Sequence, residues 1–128
     1  MKIIIAGAGE VGFHLAKLLS FESQDITLID TDKYNLEYAD THLDIRTIKG
    51  DATSIKVLND AQINGVDLVI SVTSSETTNI TVCVLAKQLG AQGFPSLVLV
   101  HNNQSHFLVA GYSEVSPILE AIETILGT

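Results

Sequence analysis

Tryptophan is absent from this 128-residue chain, cysteine and methionine each occur once, and positive charge is scarce. Seven Lys and Arg stand against 15 Asp and Glu, a formal net charge of −8. With so few cations and no cluster of them, nothing can neutralise a run of phosphates. That excludes a nucleic-acid or anionic-membrane surface. The lone cysteine, Cys83, excludes an internal disulfide framework and fits a reducing compartment. It falls inside an apolar helical pattern, as a core thiol does. No apolar run approaches the ~18 residues of a membrane span, and the N-terminus enters a strand pattern with no signal-peptide architecture. A cytoplasmic protein is expected, with no direct membrane insertion, so that any membrane connection runs through a partner.

What is present is core material. Hydrophobic residues make up 46% of the chain, and the charged share is only 17%. A chain of this length is expected to form one domain over residues 1–128. A domain near this size buries roughly two-thirds of its unfolded surface. Here that core is built from Ile, Val, Leu and Ala.

Apolar strand-like runs alternate with helical patterns from end to end. The runs predict strands at Lys2–Ala6, Ile26–Ile29, Ile45–Ile48, Leu68–Val72 and Leu97–Val100, with a short sixth near Glu114–Val115. Runs that are apolar throughout, rather than alternating, indicate strands buried on both faces of a parallel sheet. Val11, Leu15, Leu18 and Leu19 form the core-facing stripe of a first helix. A second pattern starts at Thr53 as N-cap, with Ile55, Leu58 and Ala61 inward. A third runs from Thr77 to Leu89 and stops before Gly90. A last helix opens at Ser116-Pro117 and carries Ile118, Ile122 and Ile125. Gln92–Pro95 and Asn102–Gln104 read as loops. The fold expected is α/β: a Rossmann-like doubly wound parallel sheet of about six strands, with helices on both faces.

The first strand runs straight into Gly7-Ala8-Gly9-Glu10-Val11-Gly12, a G-x-G-x-x-G placed between a buried strand and a helix. Gly7 permits the tight turn, Gly9 lets the backbone approach a pyrophosphate, and Gly12 allows the helix to pack closely on the sheet. The free N–H groups and positive pole of that helix start would hold the phosphates. Asp30 follows Gly12 by 18 positions, at the carboxyl end of the second strand. Its carboxylate would accept hydrogen bonds from the ribose hydroxyls and repel a 2′-phosphate, favouring NAD(H) over NADP(H). The bland alternative is a glycine turn that binds nothing, with Asp30 a helix cap.

Three further segments fall at carboxyl ends of strands, where open α/β sheets bind ligands. Thr31, Asp32 and Lys33 either flank an adenosine or simply start a helix. Gly50-Asp51-Ala52-Thr53 allows close approach to an adenine, with Asp51 on its amino group, or makes a turn and a helix cap. Thr73-Ser74-Ser75-Glu76-Thr77-Thr78-Asn79 offers hydroxyls, an amide and a helix N-terminus to the far half of a ligand, though capping alone accounts for most of these residue types.

Gly7–Gly12, Asp30, Gly50–Thr53, the Val66–Thr73 run and Asn79-Ile80, in that order, resemble the N-terminal nucleotide-binding domain of Trk/Ktr potassium-uptake regulators, also called the RCK or KTN domain. The resemblance covers essentially the whole chain. It implies a cytoplasmic module, peripheral to the membrane, that assembles on a potassium transporter or channel subunit and alters its gating with the bound nucleotide. It also implies self-association as a dimer or larger ring. Carried over by position, the three glycines serve the phosphates, Asp30 the ribose, Asp51 and Ala52 the adenine, and Thr73, Ser74 and Asn79 the remainder. NAD(H) is the expected ligand, with ATP, ADP and AMP as alternatives. Two departures stand out: Glu76-Thr77 replaces a usual Asp-Glu pair, and the arginines that commonly follow the fifth strand, near Val100 and Asn102, are absent. Family members also usually carry a second, C-terminal subdomain.

The leading expectation is a non-catalytic nucleotide sensor, with no catalytic or metal-ligating residue, acting by population shift. The alternative is a small NAD-dependent oxidoreductase, which needs an acid or base beside the nicotinamide. Its candidates are poor. Tyr34 and Tyr38 lack a Tyr-x-x-x-Lys partner, His14 lies in the first helix, His42 reads as a surface residue, and His101 and His106 flank a polar loop. A third expectation is an assembly module whose nucleotide site has decayed.

Overall fold

A computed structural model describes residues 1–91, 97–101 and 104–108 of the chain. Four parallel strands form the central sheet in the order β3-β2-β1-β4: β1 (Lys2–Ala6), β2 (Asp25–Asp30), β3 (Arg46–Lys49) and β4 (Leu68–Ser71). Helices α1 (Glu10–Phe21), α2 (Lys33–His42) and α3 (Ile55–Asp60) follow the first three strands, and α4 (Glu76–Gln88) follows the fourth. β1 sits in the middle, in register with β2 from Lys2↔Asp25 to Ala6↔Ile29 and with β4 from Ile3↔Leu68 to Ala6↔Ser71.

The unbroken apolar runs follow from burial on both faces. Ile3 and Ile5 of β1, with Ile26, Leu28, Leu68 and Ile70, point to one side, where Leu15, Ala16 and Leu19 of α1 and Leu36 and Ala39 of α2 cover them. Ile4 and Ala6, with Ile29 and Val69, point to the other, beneath Leu58 of α3 and Val82 and Ala86 of α4. Adjacent residues on a strand alternate faces, so a strand covered twice is apolar nearly throughout, with Thr27 of β2 and Ser71 of β4 as the buried hydroxyls among the described residues. Each Ile or Leu buried in this way contributes about 1.5–3 kcal/mol relative to exposure.

Element boundaries move by a residue or two from the expected ones, and two side chains change sides. Leu18 lies at the solvent edge of α1, because Gly12 and Ala16 lie closest to the sheet. Ile55 is exposed: α3 starts one residue later than expected, with Ser54 as its N-cap, and turns Ile55 outward.

The larger correction concerns the sheet. The expected parallel sheet of about six strands has four strands among the described residues. β5 (Leu97–His101) instead pairs antiparallel with β6 (Gln104–Leu108), from Leu97↔Leu108 to His101↔Gln104. Only two residues separate these strands, and so short a connection permits antiparallel pairing alone. The polar start of β6, Gln104-Ser105-His106, hid it as a strand. The expected strand at Glu114–Val115, the helix from Ser116 and the Gln92–Pro95 loop lie outside the described residues.

Candidate functional site

The chain reverses its direction of travel across the sheet between β1 and β4: α1 leaves β1 toward one face, and α4 leaves β4 toward the other. The crevice at the carboxyl ends of these strands is the general ligand position in open α/β sheets. A cleft of about 450 Å³ opens there, from Asp30, Gly50 and Ala52 at one end, past Gly7 and Gly9, to Thr73, Ser75 and Thr78 at the other.

Each glycine of the first loop sits under a different constraint. Gly7 has φ +112°, a conformation that L side chains rarely adopt, and its N–H donates to Ile29 O at 2.8 Å. A Cβ on Gly12 would stand 1.7 Å from the Gly7 carbonyl oxygen, so α1 reaches the sheet only because that side chain is missing. Gly9 is different. It has φ −70°, and a Cβ built on it meets nothing within 4 Å. The fold makes no demand for glycine there; the space above it belongs to the cleft. Gly9 is also the N-cap of α1, where no side chain caps the first-turn N–H groups. Those donors, with the positive end of the helix dipole, remain free for an anion.

Asp30 closes the other side of this loop. Its Oδ2 accepts the Ala8 N–H at 2.7 Å and its Oδ1 accepts the Asp32 N–H at 2.8 Å, so the carboxylate ties the glycine loop to the β2–α2 turn. Each oxygen retains a lone pair for a further donor. Asp32 is the N-cap of α2, accepting from Tyr34 and Asn35, and its neighbour Lys33 pairs with Glu37 at 3.6 Å. The helix-start alternative therefore holds for both, although Thr31 and Asp32 still line the cleft.

At the β3 end, Gly50 N–H donates to Asp30 O at 2.9 Å, and a Cβ there would press 2.7 Å from Val57 Cγ2. Asp51 Oδ1 accepts both the hydroxyl and the backbone N–H of Thr53, at 2.7 and 2.8 Å. These two bonds, the hydroxyl's foremost, hold its carboxyl below the usual carboxylate range, against a small opposing effect of burial. Thr53 thus orients Asp51 and does not line the cleft.

The β4–α4 turn forms the far wall. Val72 N–H donates to Ala6 O at 2.8 Å, which continues the β1–β4 ladder into the cleft. Thr73, Ser74 and Ser75 line it, and Ser75 caps α4 through Thr78 N–H. Asn79 lies beneath, buried and bonded to Ser71 and Thr73.

Of the expected site residues, Gly7, Gly9, Asp30, Thr31, Asp32, Gly50, Asp51, Ala52, Thr73 and Ser74 therefore come together around one cleft. Ala8 and Val11 turn into the core, Gly12 packs on the loop, and Glu10 and Ala8 border a shallower cavity on the outer side of α1. Asn35 lines the cleft and was not singled out from the sequence, while Ser75 and Thr78, which also line it, were named within the Thr73–Asn79 segment but given no individual role. Helical spacing was the available signal: Asn35 lies three residues after Asp32, and Thr78 three after Ser75. Tyr38 lies off the cleft, stacked on His42 with ring centroids 4.1 Å apart and edge-on to Phe13 at 5.0 Å. Tyr34 and His14 are exposed and also lie off it. Among the described residues no group of three His, Cys, Asp or Glu is placed to hold a metal ion, and no helix is long and apolar enough to cross a membrane.

Strand order, glycine loop and crevice define a Rossmann-type α/β domain with an open site at its switch point. Residues 3–118 match the family model of the TrkA-N domain. The chain belongs to that family, as an RCK/TrkA N-terminal domain. It is 44% identical over 89 residues to the Trk system potassium uptake protein TrkA of Halomonas elongata, covering 70% of this chain and 20% of that protein. A TrkA homologue of Methanothermobacter thermautotrophicus is 31% identical over 106 residues, 83% of this chain and 48% of the relative. The chain thus spans between a fifth and a half of these relatives. Among solved structures, the GsuK channel bound to NAD superposes with a TM-score of 0.66 at 13% identity, over 94% of this chain and 20% of the channel. The AMP-bound C-terminal domain of Shewanella denitrificans Kef gives 0.62 at 21%, over 79% and 58%. An enzyme, UDP-glucose 4-epimerase, shares the fold at 0.54 and 19%, over 70% and 31%. These structural likenesses speak to fold alone.

Proposed function

We propose that this chain is the nucleotide-sensing domain of a potassium-uptake regulator, and that it binds NAD(H) in the cleft without catalysing a reaction. Gly9 carries the reading. A glycine that the fold does not need, at a helix start that a Ser or Asp would cap better, is accounted for by a ligand whose phosphates approach the backbone. In this reading the pyrophosphate rides over Gly9 and the first turn of α1. The adenosine ribose hydroxyls add to the spare lone pairs of Asp30, the adenine lies by Asp51 and Ala52, and the second ribose meets Thr73 and Ser74.

Charge favours NAD(H) over ATP. The cleft lining includes Asp30, Asp32 and Asp51 but no Lys or Arg among the described residues. A terminal triphosphate would face carboxylates with no cation to offset them, whereas a pyrophosphate esterified at both ends carries less charge. The names of the relatives support a regulatory role over an oxidoreductase. The membrane partner is then a potassium transporter or channel subunit. The domain works on the cytoplasmic side of the membrane as a homo-oligomer, and the ligand shifts the populations of two domain arrangements by binding one of them better.

Calorimetric titration tests this. NADH should bind the wild-type chain more tightly than ATP, and Asp30→Ala should weaken NADH at least tenfold. Absence of binding by any adenine nucleotide, or an unchanged affinity in Asp30→Ala, overturns the site.

A further inference from the structure

We infer that Asn79 is a positioning residue for the cleft, one that never touches the ligand but fixes the wall that does. The inference rests on the nucleotide reading above and adds a residue that acts through Thr73. Asn79 lies in the first turn of α4 and is only 1% exposed. Three donors converge on its Oδ1: Ser71 Oγ at 2.9 Å, Thr73 N–H at 2.9 Å and Thr73 Oγ1 at 2.6 Å. Its Nδ2 donates in turn to Thr73 O at 3.1 Å. One side chain therefore holds the N–H, the carbonyl and the hydroxyl of a single residue, and it does so from α4, with the Ser71 hydroxyl of β4 as a further donor to the same oxygen. Only an amide offers the acceptor for those donors together with a donor for the carbonyl; a carboxylate lacks the second and a leucine lacks both.

The clamp matters because Thr73 is not an isolated lining residue. Its Oγ1 also accepts the Ser75 N–H at 3.2 Å, so the turn from Thr73 to Ser75 moves as a unit with it. Its backbone faces the glycine loop closely: a Cβ on Gly7 would lie 3.0 Å from both Thr73 N and Val72 O. The spacing between the two walls of the cleft is thereby set by Gly7 on one side and, on the other, by Asn79 through Thr73. Without the amide, the Thr73 N–H and the Ser71 hydroxyl lose their buried acceptor, and the turn relaxes to find others. The far half of a dinucleotide would then meet a wall with no fixed geometry. A ligand confined to the Asp30, Asp51 and Ala52 half would not register the change.

That difference separates positioning from mere stability. NADH, which spans the cleft, and AMP, which fills the near half, are titrated into wild type, Asn79→Ala, Asn79→Asp and Ser71→Ala, with amide hydrogen exchange followed in parallel. Asn79→Ala should lose tenfold or more in NADH affinity and less than threefold in AMP affinity. The Thr73 and Ser75 amides should exchange faster while those of β1 do not. Ser71→Ala, which leaves the Thr73 clamp intact, should hold NADH affinity within twofold. If Asn79→Ala does not fold, Asn79→Asp decides: it keeps an acceptor for all three donors but sets a carboxylate oxygen against Thr73 O in place of the donor, and its NADH loss should exceed its AMP loss. Equal losses for both ligands, no loss for either, or a Ser71→Ala variant as impaired as Asn79→Ala would overturn the inference while leaving the nucleotide site standing. If the wild type binds neither ligand, the nucleotide reading fails and the inference falls with it.

Discussion

Gly9→Ala separates the demands of a ligand from those of the fold. The added methyl meets no atom within 4 Å, and φ −70° suits alanine. Alanine is a poorer N-cap than glycine by about 0.5–1 kcal/mol. Against this, the stiffer unfolded chain returns about 0.4–1 kcal/mol. The two nearly cancel, so thermal stability should shift by no more than a few degrees. Binding should not escape so lightly. A phosphate pushed off the helix start loses one or two charge-assisted bonds of about 1.5–3 kcal/mol each, and even one lost bond is roughly 10- to 100-fold in Kd. Gly12→Ala makes the opposite pattern. Its methyl would lie 1.7 Å from the Gly7 carbonyl oxygen, a contact that only backbone movement can relieve. Overpacking of this kind costs about 3 kcal/mol or more, roughly 10 °C or more in melting temperature for a domain of this size. Thermal melts and NADH calorimetry on both variants read the two effects independently. A Gly9→Ala chain that binds NADH as wild type does, or that is destabilised as much as Gly12→Ala, would refute the reasoning.

Other expectations follow from single groups. Leu58, fully buried where α3 meets the sheet, should cost about 2–5 kcal/mol on truncation to alanine, seen in chemical denaturation. The Asp51 carboxyl is held below its ordinary range by Thr53. Its stabilising share is therefore present above the unfolded carboxylate pKa and is lost as pH falls through the lower, folded value. Asp51→Asn should flatten that acid-side slope in a pH series of melts by lowering stability in the neutral range, where the share is present, while matching wild type at the acid end. Burial pushes the Cys83 thiol up to about 12, so thiol reagents at neutral pH should label it only as fast as the chain opens. Mild denaturant should accelerate that labelling, and a fast reaction in native buffer would contradict the buried assignment.

The sequence made some of this legible and concealed the rest for identifiable reasons. The β1, β2 and β4 runs read correctly because burial on both faces leaves a nearly continuous apolar signature, interrupted only by the small buried hydroxyls of Thr27 and Ser71. β3 was shifted by one residue because it is an edge strand, with Arg46 and Lys49 exposed. The antiparallel β5–β6 pair was missed because local polarity outweighed the shortness of the connection. At the site, the glycines and Asp30 were legible because their spacing is dictated by a turn and a strand length. The separate duties of Gly7, Gly9 and Gly12 followed from the motif as well, but which of them the fold itself requires emerges only from what a methyl group would strike. Asn79 shows the same limit. Its residue type suits a ligand contact and a buried clamp equally, and only three-dimensional partners distinguish the two.

The decisive measurement is a crystal structure of the chain with NADH. Density is expected in the cleft, with the pyrophosphate over Gly9 and the first turn of α1, ribose hydroxyls on Asp30, and the second half of the ligand against Thr73 and Ser74. An empty cleft at millimolar NADH, or a nucleotide seated elsewhere on the domain, would contradict the reading of this site as a sensor's nucleotide pocket.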